Sequence, residues 1–156
     1  MNGTSVLVVI AGLVLVLASQ YGLLWYSVDS KKGLNVAGTG FTFTDLHTNA
    51  TRLTAPIAGA YFGWLAVSLL VASGVVGIAA NLPTPLSDPL RVAGFLLGML
   101  GVFGTYYALA QLFNEQRVAG GSSHSVWHNS SFGTWAALLG FALTAVGAGL
   151  GPGRRA

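Results

Sequence analysis

The sequence contains no cysteine among its 156 residues, which excludes disulfides, thiolate metal sites and thiol redox chemistry. Charge is almost as scarce. Charged residues make up 7% of the chain, where about 25% is usual for soluble domains. Seven Lys and Arg and four Asp and Glu are too few to cover the surface of a soluble domain. The basic residues form no cluster larger than the pairs Lys31-Lys32 and Arg154-Arg155, so we expect no nucleic acid partner.

In place of charge, the chain has four long apolar stretches. They cover residues 5–26, 55–80, 90–113 and 132–150, and Arg91 is the one charged residue within them. Each has about the 20 residues that cross a hydrocarbon layer of about 30 Å. Helices are favoured because lipid cannot satisfy backbone N–H and C=O groups. The sequence therefore predicts an all-α integral membrane protein, a single domain whose four transmembrane helices form a bundle in the lipid bilayer.

We expect the first stretch to remain as a membrane helix. No Lys or Arg precedes it, and the apolar run continues to Tyr26, longer than the apolar region of a signal peptide. The segment "VLASQ" is also a poor cleavage site.

An even number of spans places both termini on one side of the membrane. That side carries the connection 81–89 and the tail 151–156, whereas the loops 27–54 and 114–131 lie on the other side. Basic residues are denser on the side with the short segments, so the positive-inside rule places both termini in the cytoplasm. We predict a multi-pass protein of the cell membrane with two extracytoplasmic loops.

The first extracytoplasmic loop carries signals for local structure. "TGFTFTD" alternates Thr with Phe, as a half-buried strand does, and "KKG" and "AGTG" supply turns. We expect a small antiparallel sheet in which Phe41 and Phe43 share one face. A short helical turn capped by Thr44 or Asp45 should follow. The prediction is a small loop or β-hairpin cap packed on the helix ends.

Every Trp and Tyr lies toward the predicted extracytoplasmic side, although both membrane interfaces usually carry such rings. Two interpretations remain open. The rings anchor the protein at the outer leaflet, or some of them line a cavity or a partner surface. These interface aromatics are Tyr21, Trp25, Tyr26, Tyr61, Trp64, Tyr106, Tyr107, Trp127 and Trp135.

Small residues recur at helical spacing in three of the spans. In the third and fourth spans, the spacing of four and three places them on single stripes, which let helix backbones approach closely. Such stripes serve packing within the bundle, or they bind a second copy of the chain or a larger membrane partner. The small residues are Gly59, Gly63, Gly94, Gly98, Gly101, Gly133, Ala137, Gly140 and Gly147.

The stretch "SSHSVWHNSS", residues 122–131, holds two of the three histidines. On a helix, His124 and His128 would project from one face, as two metal ligands at i and i+4 do. His47 and Asp45 in the other loop could complete a zinc or copper site. The competing interpretation is an ordinary membrane-surface loop that leads into the fourth span, with no cofactor.

The sequence offers packing surface but no reaction centre. It has no nucleophile elbow, no phosphate-binding loop, and no ionisable residue in the middle of a span, which ion-coupled transporters usually need. We therefore expect a non-catalytic accessory or scaffold subunit that binds a larger membrane complex through its Gly-rich helices and its aromatic extracytoplasmic face. One alternative is a metal- or small-ligand-binding protein that uses the histidines. Another is a component of an oligomeric channel or carrier.

A first span that ends in "YGLLWYS", a long first loop and three further spans rich in Ala, Gly, Leu and Val resemble the small four-helix membrane proteins of actinobacterial type, whose function is unknown. The resemblance implies the topology and transfers no functional residue. The layout is also similar to that of claudins, whose first extracellular loop forms a sheet. The paired loop cysteines of claudins are missing from this chain.

Overall fold

A computed structural model of the chain describes residues 3–27, 40–118 and 130–151. The described part is mostly helical, and four of its helices are long and apolar enough to cross a membrane. The four long apolar helices expected from the sequence are thereby confirmed. They are Gly3–Tyr21, Pro56–Ala79, Ser87–Leu112 and Phe132–Leu150.

The elements follow one another along the chain in a simple order. The first helix and the short strands and helix after it are α1 (Gly3–Tyr21), β1 (Tyr26–Ser27), β2 (Gly40–Phe41) and α2 (Phe43–Arg52). The second long helix has three consecutive parts, namely α3 (Pro56–Ala60), a π-helical segment (Tyr61–Leu65) and α4 (Ala66–Ala79). The last two helices are α5 (Ser87–Val118) and α6 (Phe132–Leu150).

Helices α1 and α5 differ in their bounds from the apolar stretches of the sequence, most clearly at their C-terminal ends. Helix α1 ends at Tyr21, not at Tyr26, and the N–H of Gly22 donates to the carbonyl of Ala18 to close the last turn. Helix α5 continues to Val118, beyond the predicted span. Apolar composition does not determine where a helix ends. The helix ends where its backbone groups form hydrogen bonds outside the helix.

The expected strand through Phe41 and Phe43 is wrong in its second half. The strand pair has two residues on each side, with Tyr26 opposite Phe41, and α2 already begins at Phe43. A helix is favoured there because Thr42 and Asp45 form a capping box. The residues that would complete a hairpin, 28–39, lie outside the described part of the chain, so the hairpin cap stays a prediction.

The helix cap itself also differs from the expectation. Thr42, and not Thr44 or Asp45, is the N-cap residue of α2. Its hydroxyl accepts the N–H of Asp45 at 3.3 Å, while the Asp45 carboxylate accepts the N–H of Thr42 at 2.9 Å and the hydroxyl at 2.7 Å. Because these hydrogen bonds favour the charged carboxylate, they lower the pKa of Asp45.

Helix α6 lies at the centre of the bundle, with α1 on one side and α5 on the other, and α4 packs against α5. Half of the span formed by α6 is buried, compared with a third of the span formed by α1. Residues early in α1 contact residues late in α6, so the two helices run antiparallel. The fourth apolar stretch of the sequence is therefore the structural core of the fold.

Backbone contact between α1 and α6 occurs at glycines of both helices. A Cβ atom on Gly12 would lie 2.5 Å from the carbonyl oxygen of Gly140, and one on Gly140 would lie 2.7 Å from that of Gly12. Gly147 packs equally closely on Val9. Helix α1 therefore carries a complementary stripe with the same spacing of four and three, consisting of Ser5, Val9, Gly12, Val16 and Ser19.

The glycines of α5 face the other side of α6. A Cβ on Gly94 would lie 2.7 Å from the Cβ of Ala148, and Gly101 lies against the ring of Phe141. Gly98 approaches the backbone of Ala145. The small-residue stripes of the third and fourth spans are therefore filled by the chain's own helices.

The remaining small residues of the predicted set lie in other surroundings. Ala137 is buried in the core beside the α1 stripe, and Gly133 packs on Leu24 and Trp25. Gly63 faces the ring of His47, whereas a Cβ on Gly59 would meet nothing within 4 Å. Gly59 is thus a small residue that does not mediate a close helix contact.

Candidate functional site

The bundle has two chemically different ends. We call the end where α1 stops and α6 begins the aromatic end, because Trp25, Phe43 and Phe62 form a ring cluster there. We call the opposite end the proline end, because the connection between α4 and α5 contains Pro83 and Pro85. Both ends contain side chains that hold α6 in place.

Trp25 is the central residue of the aromatic end and is 1% exposed. Its ring lies edge-on to Phe43 at 5.6 Å and to Phe62 at 5.4 Å between centroids, a favourable geometry for aromatic pairs. Its indole N–H donates to the carbonyl of Ser19 at 2.6 Å. The indole N–H therefore has an acceptor, and the buried ring holds the chain folded back over the last turn of α1.

The turn at Trp25 supplies the acceptors for the start of α6. The carbonyl of Leu24 accepts the N–H of Gly133 at 2.8 Å. The carbonyl of Trp25 accepts the N–H of Ser131 at 2.9 Å and the hydroxyl of Thr134 at 2.7 Å. Ser131 makes no side-chain cap of its own, so the N–H groups of Ser131 and Gly133 depend on this turn for their acceptors.

The π-helical segment places two consecutive rings, Tyr61 and Phe62, in the core. The Tyr61 hydroxyl lies 2.5 Å from Oγ1 of Thr105, and Thr105 donates its only proton to the carbonyl of Gly101. Tyr61 is therefore the donor in the pair with Thr105. This hydrogen bond links the second long helix to α5.

A second polar contact ties the same helices together. Oε1 of Gln111 on α5 accepts the N–H of Ala58 at 2.9 Å, in the first turn of α3. The N-cap residue Ala55 has no side chain that could do so. The side chain of Gln111 on α5 thus caps the N-terminal end of α3.

The structure divides the interface aromatics predicted from the sequence. Trp25 and Tyr61 are not at the surface, since both are buried in the core. Tyr26 is half-buried against Phe41, and Trp127 lies outside the described residues. The other rings are exposed, namely Tyr21, Trp64, Tyr106, Tyr107 and Trp135.

Three of the exposed rings line one groove on the outer surface, between α5 and α6. The groove has a volume of about 570 Å³ and opens away from the bundle. The rings of Tyr106 and Tyr107 meet edge-on at 5.5 Å. Its lining is Val102, Phe103, Tyr106, Tyr107, Trp135, Leu138, Leu139 and Ala142. We call this surface the aromatic groove.

The residues of the proposed metal site are only partly described. Asp45 and His47 both lie on α2, but side chains two positions apart on a helix do not face each other. The Asp45 carboxylate caps the helix, and His47 packs beside Gly63. Within residues 3–27, 40–118 and 130–151, no three His, Asp or Glu side chains come together. His124 and His128 lie outside these ranges, so the zinc or copper site stays a prediction.

The proline end contains polar residues that the sequence patterns did not reveal. Asn81 is completely buried, and its amide N–H₂ donates to the carbonyls of Gly77 at 2.8 Å and Gly147 at 3.3 Å. Arg91 donates from Nε and Nη2 to the carbonyl of Gly149, at 3.1 and 2.7 Å. A lone Asn at the end of a Gly/Ala/Val-rich span is the signal that could have identified the first of these contacts.

The chain matches no protein-family profile, no curated protein and no solved structure. Of the resemblance to actinobacterial four-helix proteins, the four long apolar helices stand, and the comparisons give the actinobacterial type no support. The class of protein is therefore defined by the fold alone. It is a helical bundle whose four long helices are compatible with a multi-pass membrane protein.

Proposed function

We propose that the protein is a non-catalytic accessory or scaffold subunit of a larger membrane complex, and that it binds a transmembrane helix of its partner along the aromatic groove. The observation that carries the proposal is the exposure of Phe103, Tyr107 and Trp135, each more than half exposed, on one outward face. Aromatic side chains are enriched at the centres of protein interfaces because they bury large areas with little loss of conformational entropy.

The packing of the interior supports a structural role. Helix α6 touches α1 and α5 at glycines, which leaves little space between the helix backbones. The buried hydroxyls of the long helices donate to main-chain carbonyls, as those of Ser19, Thr105 and Thr144 do. A carrier needs polar groups available to its cargo at membrane depth. Among the buried polar side chains of the described residues, two have an oxygen without a partner, Gln20 and Asn81, and both lie near the ends of the long helices.

The contacts that the glycines make within the bundle favour a partner surface elsewhere on the molecule. The sequence left open whether Gly94, Gly98 and Gly140 pack within the bundle or bind a partner, and the chain's own helices contact all three. The aromatic groove lies on the outer side of α5 and α6, the two helices that carry these glycines. A partner helix seated there would pack against rings, not against glycines.

The proposed location is the cell membrane, with both termini in the cytoplasm and the aromatic end outside. Large apolar side chains are exposed on the outward faces of the long helices, for example Leu7 on α1 and Val75 on α4. An exposed apolar surface of this extent fits contact with lipid. The orientation rests on the distribution of basic residues in the sequence.

Site-specific photo-crosslinking in native membranes tests the proposal. A crosslinker at Tyr107 should capture one larger membrane protein in stoichiometric amount, which should also copurify in mild detergent. The matched position is Val71 on α4, which is exposed outside the aromatic groove and should capture lipid only. A solitary monomer, a crosslink to a second copy of the chain, or equal capture at both positions would contradict the proposal.

A pair of matched substitutions gives a second test. Leu139→Trp fills the aromatic groove, and Val75→Trp adds the same bulk on α4. We expect the first to lower the copurified partner about tenfold, because 1.4 kcal/mol of lost contact corresponds to that factor. The second should leave the amount of partner unchanged.

A further inference from the structure

A second groove lies at the proline end, between the first turns of α5 and the last turn of α6. Its volume is about 410 Å³, and its lining is Asp88, Arg91, Val92, Phe95 and Gly149. Val92 and Phe95 are exposed and make its walls apolar. We call this surface the arginine groove. It combines a cation at the end of a span with an apolar wall that continues into the span.

Arg91 is held in place and still has donors to offer. A guanidinium carries five N–H groups. Two of them donate to the carbonyl of Gly149, and one reaches a carboxylate oxygen of Asp88 at 3.4 Å. The other two have no partner within the described residues. Because the Gly149 carbonyl belongs to the negative end of the α6 dipole, it fixes the orientation of the cation.

The ion pair with Asp88 does not use up the charge of Arg91. The Asp88 side chain is 87% exposed, and such surface pairs contribute little because water screens them. The Arg91 side chain is 36% exposed, which leaves it accessible from the groove. A phosphate group accepts two guanidinium N–H groups at once, which makes it a stronger partner than a distant exposed carboxylate.

The apolar wall indicates what else the ligand contains. Phe95 follows Arg91 by four residues, so the two side chains lie one turn apart on the same face of α5. From Arg91, this face leads toward the middle of the span. A ligand that satisfies both parts of the groove has a phosphate at the membrane surface and a hydrocarbon chain below it. That description fits a phospholipid and does not fit free phosphate.

We propose that the arginine groove binds an anionic phospholipid, with its phosphate on Arg91 and one acyl chain along Val92 and Phe95. Because Asp88 is 87% exposed and pairs only weakly with Arg91, the guanidinium is the dominant charge of the groove and favours a headgroup with a net negative charge. Basic pockets between membrane helices recognise anionic headgroups in this way. The site is independent of the proposed partner helix, since the aromatic groove lies nearer the other end of the bundle.

Native mass spectrometry of the purified full-length chain tests this site. The probes are phosphatidylglycerol and phosphatidylcholine, each titrated into the same detergent solution. Wild-type protein should retain one phosphatidylglycerol, and Arg91→Gln should weaken its binding about tenfold or more, because hydrogen bonds to charged groups are worth about 1.5–3 kcal/mol. Arg52→Gln on α2 removes the same charge far from the groove and should bind like wild type.

Two further variants separate the parts of the groove. Phe95→Ala leaves the contact between Arg91 and Gly149 in place and should weaken phosphatidylglycerol binding about threefold. Asp88→Asn removes the competing carboxylate and should strengthen binding. An excess of inorganic phosphate should not displace the lipid. Both variants keep the test valid if Arg91→Gln lowers the stability of α6.

Four results would overturn the proposal. They are equal binding of phosphatidylcholine, equal losses in Arg91→Gln and Arg52→Gln, an unchanged affinity in Phe95→Ala, and displacement by inorganic phosphate, which would indicate a simple anion site. None of these readouts depends on the partner complex, so the lipid site can fail while the accessory function stands.

Discussion

The two ends of α6 leave opposite chemical groups without partners, and the chain satisfies them by opposite means. At the aromatic end the groups are the N–H donors of Ser131 and Gly133, and their acceptors are the main-chain carbonyls of Trp25 and Leu24. At the proline end the orphan groups are carbonyls, and their donors are the side chains of Asn81 and Arg91. Both solutions come from other elements of the fold.

This difference determines what each end depends on. A main-chain acceptor is present at every residue, so the aromatic end depends on whatever positions the backbone, and here that is the burial of the Trp25 ring. A side-chain donor exists only where the residue has one, so the proline end depends on the identity of Asn81 and Arg91. We therefore expect packing changes to weaken the first end and loss of donors to weaken the second.

The largest effect should come from Trp25→Ala. The substitution removes the ring that holds the turn, and loss of a buried aromatic side chain costs about 3–5 kcal/mol. Thermal unfolding in detergent, followed by the loss of helical circular dichroism, measures the change. Trp64→Ala is the matched control, because Trp64 is 62% exposed, and it should change stability by less than about 0.5 kcal/mol. Similar effects of the two substitutions would show that Trp25 does not hold the aromatic end.

The next largest effect on stability tests the backbone contact between α1 and α6, which lies between the two ends. Gly12→Ala places a Cβ 2.5 Å from the carbonyl oxygen of Gly140, which is backbone and cannot rotate away. Overpacking of this kind costs about 1–3 kcal/mol. Gly59→Ala meets nothing within 4 Å, and it should stabilise its helix by up to about 1 kcal/mol. Opposite signs in the same unfolding assay are the expected outcome, and equal signs would mean that α1 and α6 are not in backbone contact.

A smaller effect on stability is expected when one hydrogen-bond donor is removed at either end of α6. Asn81→Ala removes both donors to the carbonyls of Gly77 and Gly147 and should cost about 1 kcal/mol. Thr134→Val removes one donor from the Trp25 carbonyl, which still accepts the N–H of Ser131, so about 0.5 kcal/mol is expected. Hydrogen exchange at the last turn of α6 should increase only in Asn81→Ala. A larger loss in Thr134→Val would reverse the comparison of the two ends.

The smallest effect concerns the capping box of α2. Because the pKa of Asp45 is lowered in the folded protein, its contribution is present above the unfolded-state pKa and is lost as the pH falls through the folded-state pKa. Stability should therefore decline slightly in wild type below about pH 4, near the ordinary pKa of aspartate. Asp45→Asn should be a few tenths of a kcal/mol less stable at pH 7, since the site is exposed to solvent, and it should lack this decline. A wild-type decline that persists in Asp45→Asn would assign the pH dependence to another group.

Much of the fold follows from patterns within short stretches of sequence. The apolar run 132–150 and helix α6 coincide, because a helix satisfies the backbone hydrogen bonds of an apolar segment within the segment itself. The spacing of Gly140 and Gly147 correctly indicated a close-packed stripe. The complementary stripe on α1 was harder to recognise, because Val9 and Val16 alternate there with small residues and hide the pattern.

The exposed and buried rings could not be separated from the sequence. Trp25 and Trp64 both stand near the end of an apolar run, yet one is buried and the other is exposed. The difference arises from Phe43 and Phe62, which lie far from Trp25 in sequence and surround it in space. Ring burial depends on these distant neighbours and not on local composition.

Hydropathy and helical spacing are local properties, and they are enough to predict the four apolar helices and the small-residue stripes of the third and fourth spans. Tertiary structure alone decided which helix lies at the centre, where α1 ends, and which groups complete the two ends of α6. Those outcomes depend on hydrogen-bonding groups and rings brought together from distant parts of the chain. The hydrogen bonds and ring contacts that stabilise these features form only after the helices have packed.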